Sequence, residues 1–276
     1  MEKKNNKGGI LGFLYNTTCG RILLRLLKAR WLTYLSGVFL DLPISKPLIK
    51  PFVKNNNIDL SEYESDNFKC FNDCFCRKIK PGFRPVDMRD SALVSPCDGL
   101  LSAYKISGEE VYPVKQSRYT LGGLLKNDSL AKEYKNGTIL IFRLSVNHYH
   151  RYCYPASGIK GDNIYIKGAF HTVRPVALAA GPVFCENARE YTVIDTKPFG
   201  KIVQMEVGAM LVGKIKNHLG AGEIKKGEEK GMFLYGGSTV ILLLKENSVK
   251  IKEEYLENTQ KGIETPVKQG ETLNII

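Results

Sequence analysis

From about residue 92 to residue 244 the sequence consists of short apolar segments separated by turn residues, and this pattern limits the fold more than any other feature. Each segment is rich in Val, Ile, Leu or Tyr and is bounded by Gly, Pro, Asn or Asp, which is typical of β-strands. The predicted strands are Ala92–Val94, Gly99–Ile106, Thr138–Leu144, Gly158–Ile166, Thr192–Thr196, Lys201–Val207, Met210–Lys216 and Thr239–Leu244. One helix, predicted over Leu121–Tyr134, interrupts them. Because strands and helices do not alternate regularly, the pattern disfavours a doubly wound parallel sheet and predicts a mainly antiparallel domain, barrel-like or sandwich-like.

The first part of the chain predicts amphipathic helix, so the expected fold class is α+β. Apolar residues recur at three- and four-residue steps between residues 21 and 54, and basic residues follow the same period on another stripe. The apolar stripe consists of Leu23, Leu27, Trp31 and Tyr34 or Leu35, and the basic stripe of Arg21, Arg25 and Lys28. Pro43, Pro47 and Pro51 should break the helix into short pieces. The polar segment 55–66 then predicts a boundary, which separates a helical region (residues 1–60) from a β-rich domain (residues 61–276).

The charge of the chain favours an anionic partner. The formal net charge is +12, and residues 1–30 hold seven basic residues against Glu2 alone. A basic stripe beside a Leu/Trp stripe suits a helix lying in a membrane interface, although an ordinary helix packed on the domain gives the same pattern. No segment is apolar over the roughly 20 residues needed to cross a bilayer. The front also lacks a signal-peptide pattern. The seven cysteines are irregularly spaced, and we interpret them as reduced thiols.

Two segments carry residue types suited to proton transfer. Asp98 lies in the Pro/Gly turn Ser95–Gly99, where an Asp residue also commonly satisfies its own backbone. His148 and His150 follow a predicted strand, and alternate residues of an extended segment point to the same side. Such a pair can transfer protons near neutral pH, or form structural hydrogen bonds at a sheet edge. A metal site is weakly supported, since no acidic or Cys partner lies at a convincing spacing, and we predict none.

A third segment, Gly236-Gly237-Ser238-Thr239, opens a strongly apolar strand. It fits a plain β-turn, and it also fits a sharply bent backbone in which the Ser238 hydroxyl attacks the carbonyl of Gly237, because glycine permits conformations that other residues avoid. The Gly-x-Ser-x-Gly elbow of hydrolases is absent.

With these residues the chain resembles the phosphatidylserine decarboxylase family. The resemblance runs from about Tyr15 to about Lys245 and rests on four ordered motifs. They are Gly-Gly-Ser-Thr at 236–239, Ser-Pro-x-Asp-Gly at 95–99, Tyr-His-Arg at 149–151, and Phe-Asn-Asp-x-Phe-x-Arg-Lys at 71–78 followed by Pro-Gly-x-Arg-Pro at 81–85.

The resemblance implies a self-processing enzyme of phospholipid synthesis, made as an inactive precursor. Ser238 would attack Gly237, and the chain would split into residues 1–237 and 238–276 while Ser238 becomes a covalent pyruvoyl cofactor. This group would form a Schiff base with phosphatidylserine, release CO₂ and yield phosphatidylethanolamine. The two chains would stay associated. The substrate and an anionic membrane surface are then the expected partners, nucleic acid is not, and the expected location is the cytoplasmic side of the cell membrane as a peripheral protein.

The resemblance also assigns roles to the acid and the histidines. Asp98 and a nearby His would activate Ser238, and His150 of the Tyr-His-Arg motif is the first choice of base. Many family members have a second His three residues later, where this chain has Cys153. His148 and His171 therefore remain open as alternatives for the self-cleavage base.

A pyruvoyl-dependent decarboxylase acting on a soluble amino acid is chemically possible, but the amphipathic front and the four motifs argue against it. Two rival functions of other kinds remain. A serine hydrolase could use Asp98, His150 and Ser238 as a lasting triad, and it would keep the chain intact. A lipid- or nucleic-acid-binding module would account for the charge, but it gives no reason for the Gly-Gly-Ser-Thr segment or the clustered histidines. The sequence leaves open the acyl-chain selectivity and the oligomeric state.

Overall fold

The computed structural model describes residues 30–107, 111–114, 117–169, 183–208, 215–235 and 238–276, together with Thr17, Cys19 and Gly20. The helices are α1 (Arg30–Asp41), α2 (Ile49–Asn55), α3 (Phe71–Phe75), α4 (Leu121–Leu125), α5 (Asp128–Lys132), α6 (Val183–Glu186) and α7 (Glu253–Gln260). Two 3₁₀ helices cover Pro43–Leu48 and Leu60–Glu62. Among the described residues, no helix is long and apolar enough to span a bilayer.

The strands form one large sheet and two small ones. They are β1 (Gly99–Lys105), β2 (Val111–Val114), β3 (Ser117–Thr120), β4 (Thr138–Leu144), β5 (Arg151–Cys153), β6 (Gly158–Lys160), β7 (Ile164–Ile166), β8 (Arg189–Thr196), β9 (Gly200–Val207), β10 (Ile215–Asn217), β11 (Gly222–Ile224), β12 (Glu229–Phe233), β13 (Ser238–Leu244) and β14 (Thr265–Val267). The large sheet has the order β11-β6-β8-β9-β13-β4-β1-β14, with β7 also on β8. The small sheets are β10-β12-β5 and β2-β3.

All strand pairings in these sheets are antiparallel, which confirms the predicted α+β class. Within the described part of the chain the large sheet stays open, so the architecture is sandwich-like and not a closed barrel. Antiparallel neighbours can be joined by short turns, as the Gly- and Asn-rich connections of the sequence suggested.

Strand β13 lies in the middle of the large sheet, between β9 and β4. All seven of its residues are buried, and β4 beside it is buried at six of seven positions. A strand whose residues are almost all apolar is typical of a sheet that other structure covers on both faces. The main core accordingly forms around β4 and β13.

The three-stranded sheet covers one face of the large sheet near β9, and polar groups link the two layers. The ammonium of Lys230 on β12 lies 2.5 Å from a carboxylate oxygen of Glu206 on β9, and both side chains are fully buried. Gln204, also on β9, donates to the backbone carbonyl of Cys153 on β5 at 3.1 Å. Buried polar groups require such partners, so these bonds fix how the two layers meet.

The helical region shares a second apolar cluster with α3. Leu40 and Ile49 pack in this cluster with Phe71, Phe75 and Met232 of β12. Pro43 and Pro47 break the helix as predicted, since α1 ends before Pro43 and a 3₁₀ helix with both prolines follows. Pro51 does not, because it lies in the first turn of α2, where a proline is tolerated. The predicted stripes at residues 21–34 lie outside the residues whose side chains are described, and the boundary near residue 60 stays a prediction.

The predicted helix Leu121–Tyr134 is wrong in one respect, since it consists of two short helices. Lys126 ends α4 in the left-handed conformation (φ 51°), and the Asn127 side chain then caps α5 by accepting from the Leu130 amide. An Asn that caps a new helix competes with continuation of the old one. The predicted strand Gly158–Ile166 likewise divides into β6 and β7, which pair with different ends of β8.

Some strand predictions did not match the structure. Ala92–Val94 makes a single bridge, from Val94 to Thr272, instead of a strand. Residues 210–214 of the predicted strand Met210–Lys216 lie outside the described residues, as does residue 171. Strands β2, β3, β5, β11, β12 and β14 were not predicted, because each is only three to five residues long and β12 begins with two charged residues.

Candidate active site

Three adjacent strands bring the predicted site residues to one edge of the large sheet. Strand β1 begins at Gly99, β4 ends at Leu144, and β13 begins at Ser238, and the antiparallel register places these ends side by side. Asp98 directly precedes β1, and the segment with His148 and His150 follows β4. The topology therefore gathers residues that are up to 140 positions apart in sequence.

Glycine suits the start of β1 because the strands approach closely there. A Cβ atom added to Gly99 would lie 3.2 Å from the carbonyl oxygen of Arg143 on β4. A larger residue would therefore require β1 or β4 to move by a few tenths of an ångström beside Asp98.

Ser238 is fully buried as the first residue of β13. Its Oγ has no hydrogen-bond partner in the part of the chain that is described. Val240 lies opposite Glu206 in the register, so alternation places the Ser238 side chain on the face that the three-stranded sheet covers. A buried hydroxyl without a partner costs about 1–3 kcal/mol, which is the kind of cost that functional sites retain.

Asp98 is bound by Arg84, an arginine for which the sequence predicted no role. Arg84 Nε lies 2.8 Å from Asp98 Oδ1, and Arg84 Nη2 lies 2.7 Å from Oδ2. The backbone amide of Gln269 also donates to Oδ1 at 2.9 Å. Among the described residues the carboxylate makes no hydrogen bond to a histidine. Asp98 is thus fixed as a buried anion whose oxygens are occupied.

The hydrogen bonds of the two histidines fix their tautomers. Nδ1 of His150 lies 2.9 Å from the carbonyl oxygen of His148, so this nitrogen must carry the proton. In a neutral His150 ring, Nε2 is then the acceptor nitrogen. His148 has the opposite arrangement, because its Nδ1 accepts from the Ser145 amide at 3.0 Å. When neutral, His150 can take a proton at Nε2, whereas His148 can only donate there.

The surroundings favour the neutral form of the His148 ring and hold the His150 ring in place. Burial lowers the pKa of His148 below its usual value, the Arg143 and Arg77 guanidiniums lower it further, and the Asp98 carboxylate opposes them. The ring of His150 is fully buried and lies 4.0 Å from the Phe75 ring, centroid to centroid.

A second arginine without an assigned role holds the histidine segment. Arg77 Nη2 donates to the carbonyl oxygens of Asn147 (2.9 Å) and His148 (3.2 Å). Its guanidinium also stacks over the Tyr63 ring at 4.4 Å. Arg77 belongs to the motif at 71–78 and Arg84 to the motif at 81–85. Their place in these motifs is therefore the feature of the sequence that could have indicated a role.

Cys153, which takes the place of the second family histidine, is not suited to act as a base. It is buried, and burial raises the pKa of its thiol to about 12. The thiol therefore stays neutral near pH 7, and only the thiolate would accept a proton readily. Its Sγ lies 3.9 Å from the Ser95 carbonyl oxygen.

Gly237 and His171 lie outside the described residues, so the structure does not place them. Within the described ranges, no group of three or more His, Cys, Asp or Glu side chains could hold a metal ion. Asp98, His150 and Ser238 are brought to one edge, and their roles stay predictions.

Comparison with known proteins identifies the family. The family model described as phosphatidylserine decarboxylase matches residues 71–274, which include Asp98, His150 and Ser238. The chain belongs to the phosphatidylserine decarboxylase family.

Full-length relatives agree with this family. Phosphatidylserine decarboxylase proenzyme 2 of Clostridium acetobutylicum is 46% identical over 272 residues, which cover 98% of this chain and 93% of the relative. The phosphatidylserine decarboxylase proenzymes of Clostridium botulinum and Ruminiclostridium cellulolyticum are each 42% identical, over 96% of this chain and 92% and 91% of the relatives. The rival serine hydrolase is not supported, since the carboxylate that a triad would direct to its histidine is bound to Arg84.

Proposed function

We propose that this protein converts phosphatidylserine to phosphatidylethanolamine and CO₂, and that it becomes active by splitting itself between Gly237 and Ser238. One observation carries the proposal most directly. In a chain of this family, the Ser of the Gly-Gly-Ser-Thr segment opens the central strand with a buried hydroxyl that has no described partner. A hydroxyl that serves only in packing would be expected to have one.

Self-cleavage needs a base for the Ser238 hydroxyl, and His150 is suited to this role. Its Nδ1 proton is held by the His148 carbonyl, so its Nε2 is the acceptor. The Oγ–carbonyl bond forms as the Gly237–Ser238 amide bond breaks, which leaves an ester. Loss of the Ser238 α-proton expels residues 1–237 as a carboxylate, and water then replaces the nitrogen at residue 238, which leaves as ammonia.

The position of Ser238 fits a covalent pyruvoyl group. The site is buried, which excludes water, and the Ser238 side chain lies on the covered face at the edge where Asp98 and His150 lie. Such a group supplies a carbonyl that bonds the substrate amine and accepts the electrons released with CO₂. Arg84 keeps the Asp98 anion in place, and Arg77 keeps the segment of His148 and His150 in place.

The two chains are expected to remain together. Residues 238–276 supply β13, which pairs along its length with β4 and over five residues with β9. The smaller chain also supplies the Gln269 amide that binds Asp98 of the larger one. Cleavage therefore leaves the site built from both chains.

We further propose that a surface of the helical region binds the membrane peripherally. Six large apolar side chains of this region are exposed, and Ile44 is 71% exposed. This apolar surface consists of Leu35, Val38, Phe39, Leu42, Ile44 and Leu48. Exposed lysines follow it at positions 46, 50 and 54, which suits an anionic lipid surface on the cytoplasmic side.

The test of self-cleavage is the intact mass of the denatured protein for the wild type and for Ser238→Ala. The wild type should give two chains whose summed mass equals the precursor plus one water and minus one ammonia. Ser238→Ala should give one uncleaved chain without activity, because it has no attacking hydroxyl. Ser248→Ala, a half-buried serine outside the site, is the matched control and should cleave normally. An active Ser238→Ala protein would refute the mechanism.

The membrane proposal is tested by flotation with phosphatidylserine-containing vesicles. Replacing Leu42 and Ile44 by Ser should reduce binding about a hundredfold or more, since each buried aliphatic side chain contributes about 1.5–3 kcal/mol. Ile263→Ser removes an exposed isoleucine from another surface and should bind like the wild type. Unchanged binding of the double variant would exclude the apolar surface as the contact.

A further inference from the structure

Asn72, in the short helix α3, contacts both the helical region and the cleavage segment. Its Nδ2 donates to Asp41 Oδ1 at 2.8 Å, at the end of α1. Its Oδ1 accepts from the backbone amide of Tyr235 at 3.2 Å. The side chain is 4% exposed, so both ends of a buried amide are satisfied by groups distant in sequence.

The Tyr235 amide is a significant partner because it lies three residues before Ser238. Strand β12 ends at Phe233 and β13 begins at Ser238, so residues 234–237 form the connection that contains the predicted cleavage bond. Helix α3 contacts this connection with its aromatic rings as well. The Tyr235 ring centroid lies 4.9 Å from that of Phe71 and 5.2 Å from that of Phe75.

The same helix also fixes the base. The Phe75 ring packs on His150, and Cys76, directly after α3, has its Sγ 3.3 Å from the Phe233 carbonyl oxygen. Helix α3 and the residue after it thus contact three parts of the site. These are the end of β12, Tyr235 in the connection to β13, and the proposed base His150. An attack of Ser238 on Gly237 depends on their mutual placement, and a displacement of about 1 Å can cost about a hundredfold in rate.

We propose that Asn72 is a positioning residue for self-cleavage, which holds the Tyr235 amide and so fixes the chain three residues before Ser238. This inference rests on the proposed function. Asp41 sets the orientation of the Asn72 amide, because a carboxylate can only accept and therefore selects the NH₂ group. The carbonyl end is then directed at Tyr235. Reversing the amide would lose both bonds.

The pair Asp41 and Asn72 allows a test by exchange. Asn72→Ala removes both bonds and should slow cleavage about ten- to a hundredfold. Asn72→Asp places two carboxylates together and should also slow it. The double variant Asp41→Asn with Asn72→Asp restores a donor at position 41 and keeps an acceptor for Tyr235, so it should recover most of the rate. Asp41→Asn alone keeps an oxygen acceptor and should cleave nearly like the wild type.

The experiment follows the full-length precursor made by cell-free translation, by gel electrophoresis over time. Ser45→Ala is the matched structural control. The Ser45 hydroxyl accepts from the Phe71 amide and contacts the same helix, but not Tyr235. It should lower the melting temperature of the uncleaved Ser238→Ala chain, as Asn72→Ala does, and leave the half-time of cleavage unchanged.

The outcomes separate this inference from the proposed function. A wild-type precursor that never splits would overturn both. If the wild type splits and Asn72→Ala splits as fast, the positioning role alone is wrong. It is equally wrong if Ser45→Ala slows cleavage as much as Asn72→Ala, or if the exchanged pair is no faster than Asn72→Asp.

Discussion

The two ends of the candidate site satisfy their polar atoms in opposite ways. At one end the Asp98 carboxylate accepts three hydrogen bonds, two from Arg84 and one from the Gln269 amide. At the other end the buried hydroxyl of Ser238 has no partner among the described residues, and neither has that of Thr239 beside it. Both ends lie at the same edge of one sheet.

This difference indicates which group can change during the reaction. A carboxylate bound bidentately by an arginine is held in one place, so Asp98 is suited to supply a fixed field near His148 and His150. A buried hydroxyl without a partner loses nothing when it forms a new bond. The end that we propose to be reactive is therefore the less stabilised one, and the surrounding structure supplies the stability that it lacks.

The largest expected effect comes from breaking the satisfied end. Arg84→Gln leaves Asp98 as a buried anion without its ion pair, and it should lower the free energy of unfolding by about 3–5 kcal/mol. Urea unfolding in the uncleaved Ser238→Ala chain measures this. Arg89→Gln is the matched control, because Arg89 binds Asp87 with the same bidentate geometry but is 64% exposed. It should cost much less than Arg84→Gln, because solvent screens an exposed pair, and equal losses would contradict the distinction.

A smaller effect of opposite sign is expected at the unsatisfied end. Thr239→Val keeps the shape of the side chain and removes a buried hydroxyl that has no described partner. In the Ser238→Ala chain it should raise the free energy of unfolding by about 1 kcal/mol. A clear loss of stability would mean that the hydroxyl is bonded, and the two ends would then differ less than described.

The smallest effect concerns pH. Burial lowers the pKa of His148, so below its unfolded value of about 6.5 the unfolded chain binds more protons than the folded one. Stability from this residue is complete above that value and is lost as the pH falls. His148→Asn, whose Oδ1 can accept from the Ser145 amide, should reduce the pH slope of the unfolding free energy between about pH 7.5 and 5.5. An unchanged slope would show that His148 does not titrate differently on folding.

The sequence predicted the central strands well because their signal is strong. Thr138–Leu144 is observed with the same ends, and Thr239–Leu244 extends by one residue to Ser238. Such continuous apolar runs are stable only when they are buried, so their position in the core can be predicted from the sequence. Short strands such as β5 form only because β12 lies beside them, and no local pattern of three residues can show this.

The residues of the candidate site were indicated by motifs, but their contacts were not. Motifs indicated Asp98, His150 and Ser238. The prediction that Asp98 pairs with a histidine also assumed that the two side chains lie within hydrogen-bond distance. The structure pairs it with Arg84 instead. The position of Asp98 in the sequence does not show which side chain its carboxylate binds. The binding partner depends on how the segment around residues 62–84 folds.

The central place of β13 has a consequence for the life of the mature protein. If residues 238–276 become a separate chain, folding and unfolding cease to be unimolecular. Once unfolded, the mature protein could regain its structure only by an encounter of two chains, with a yield that depends on protein concentration. The smaller chain would have to insert a fully buried strand between two others, a step that the precursor makes as a loop closure within one chain. Each molecule would then have one efficient opportunity to fold, before it cleaves.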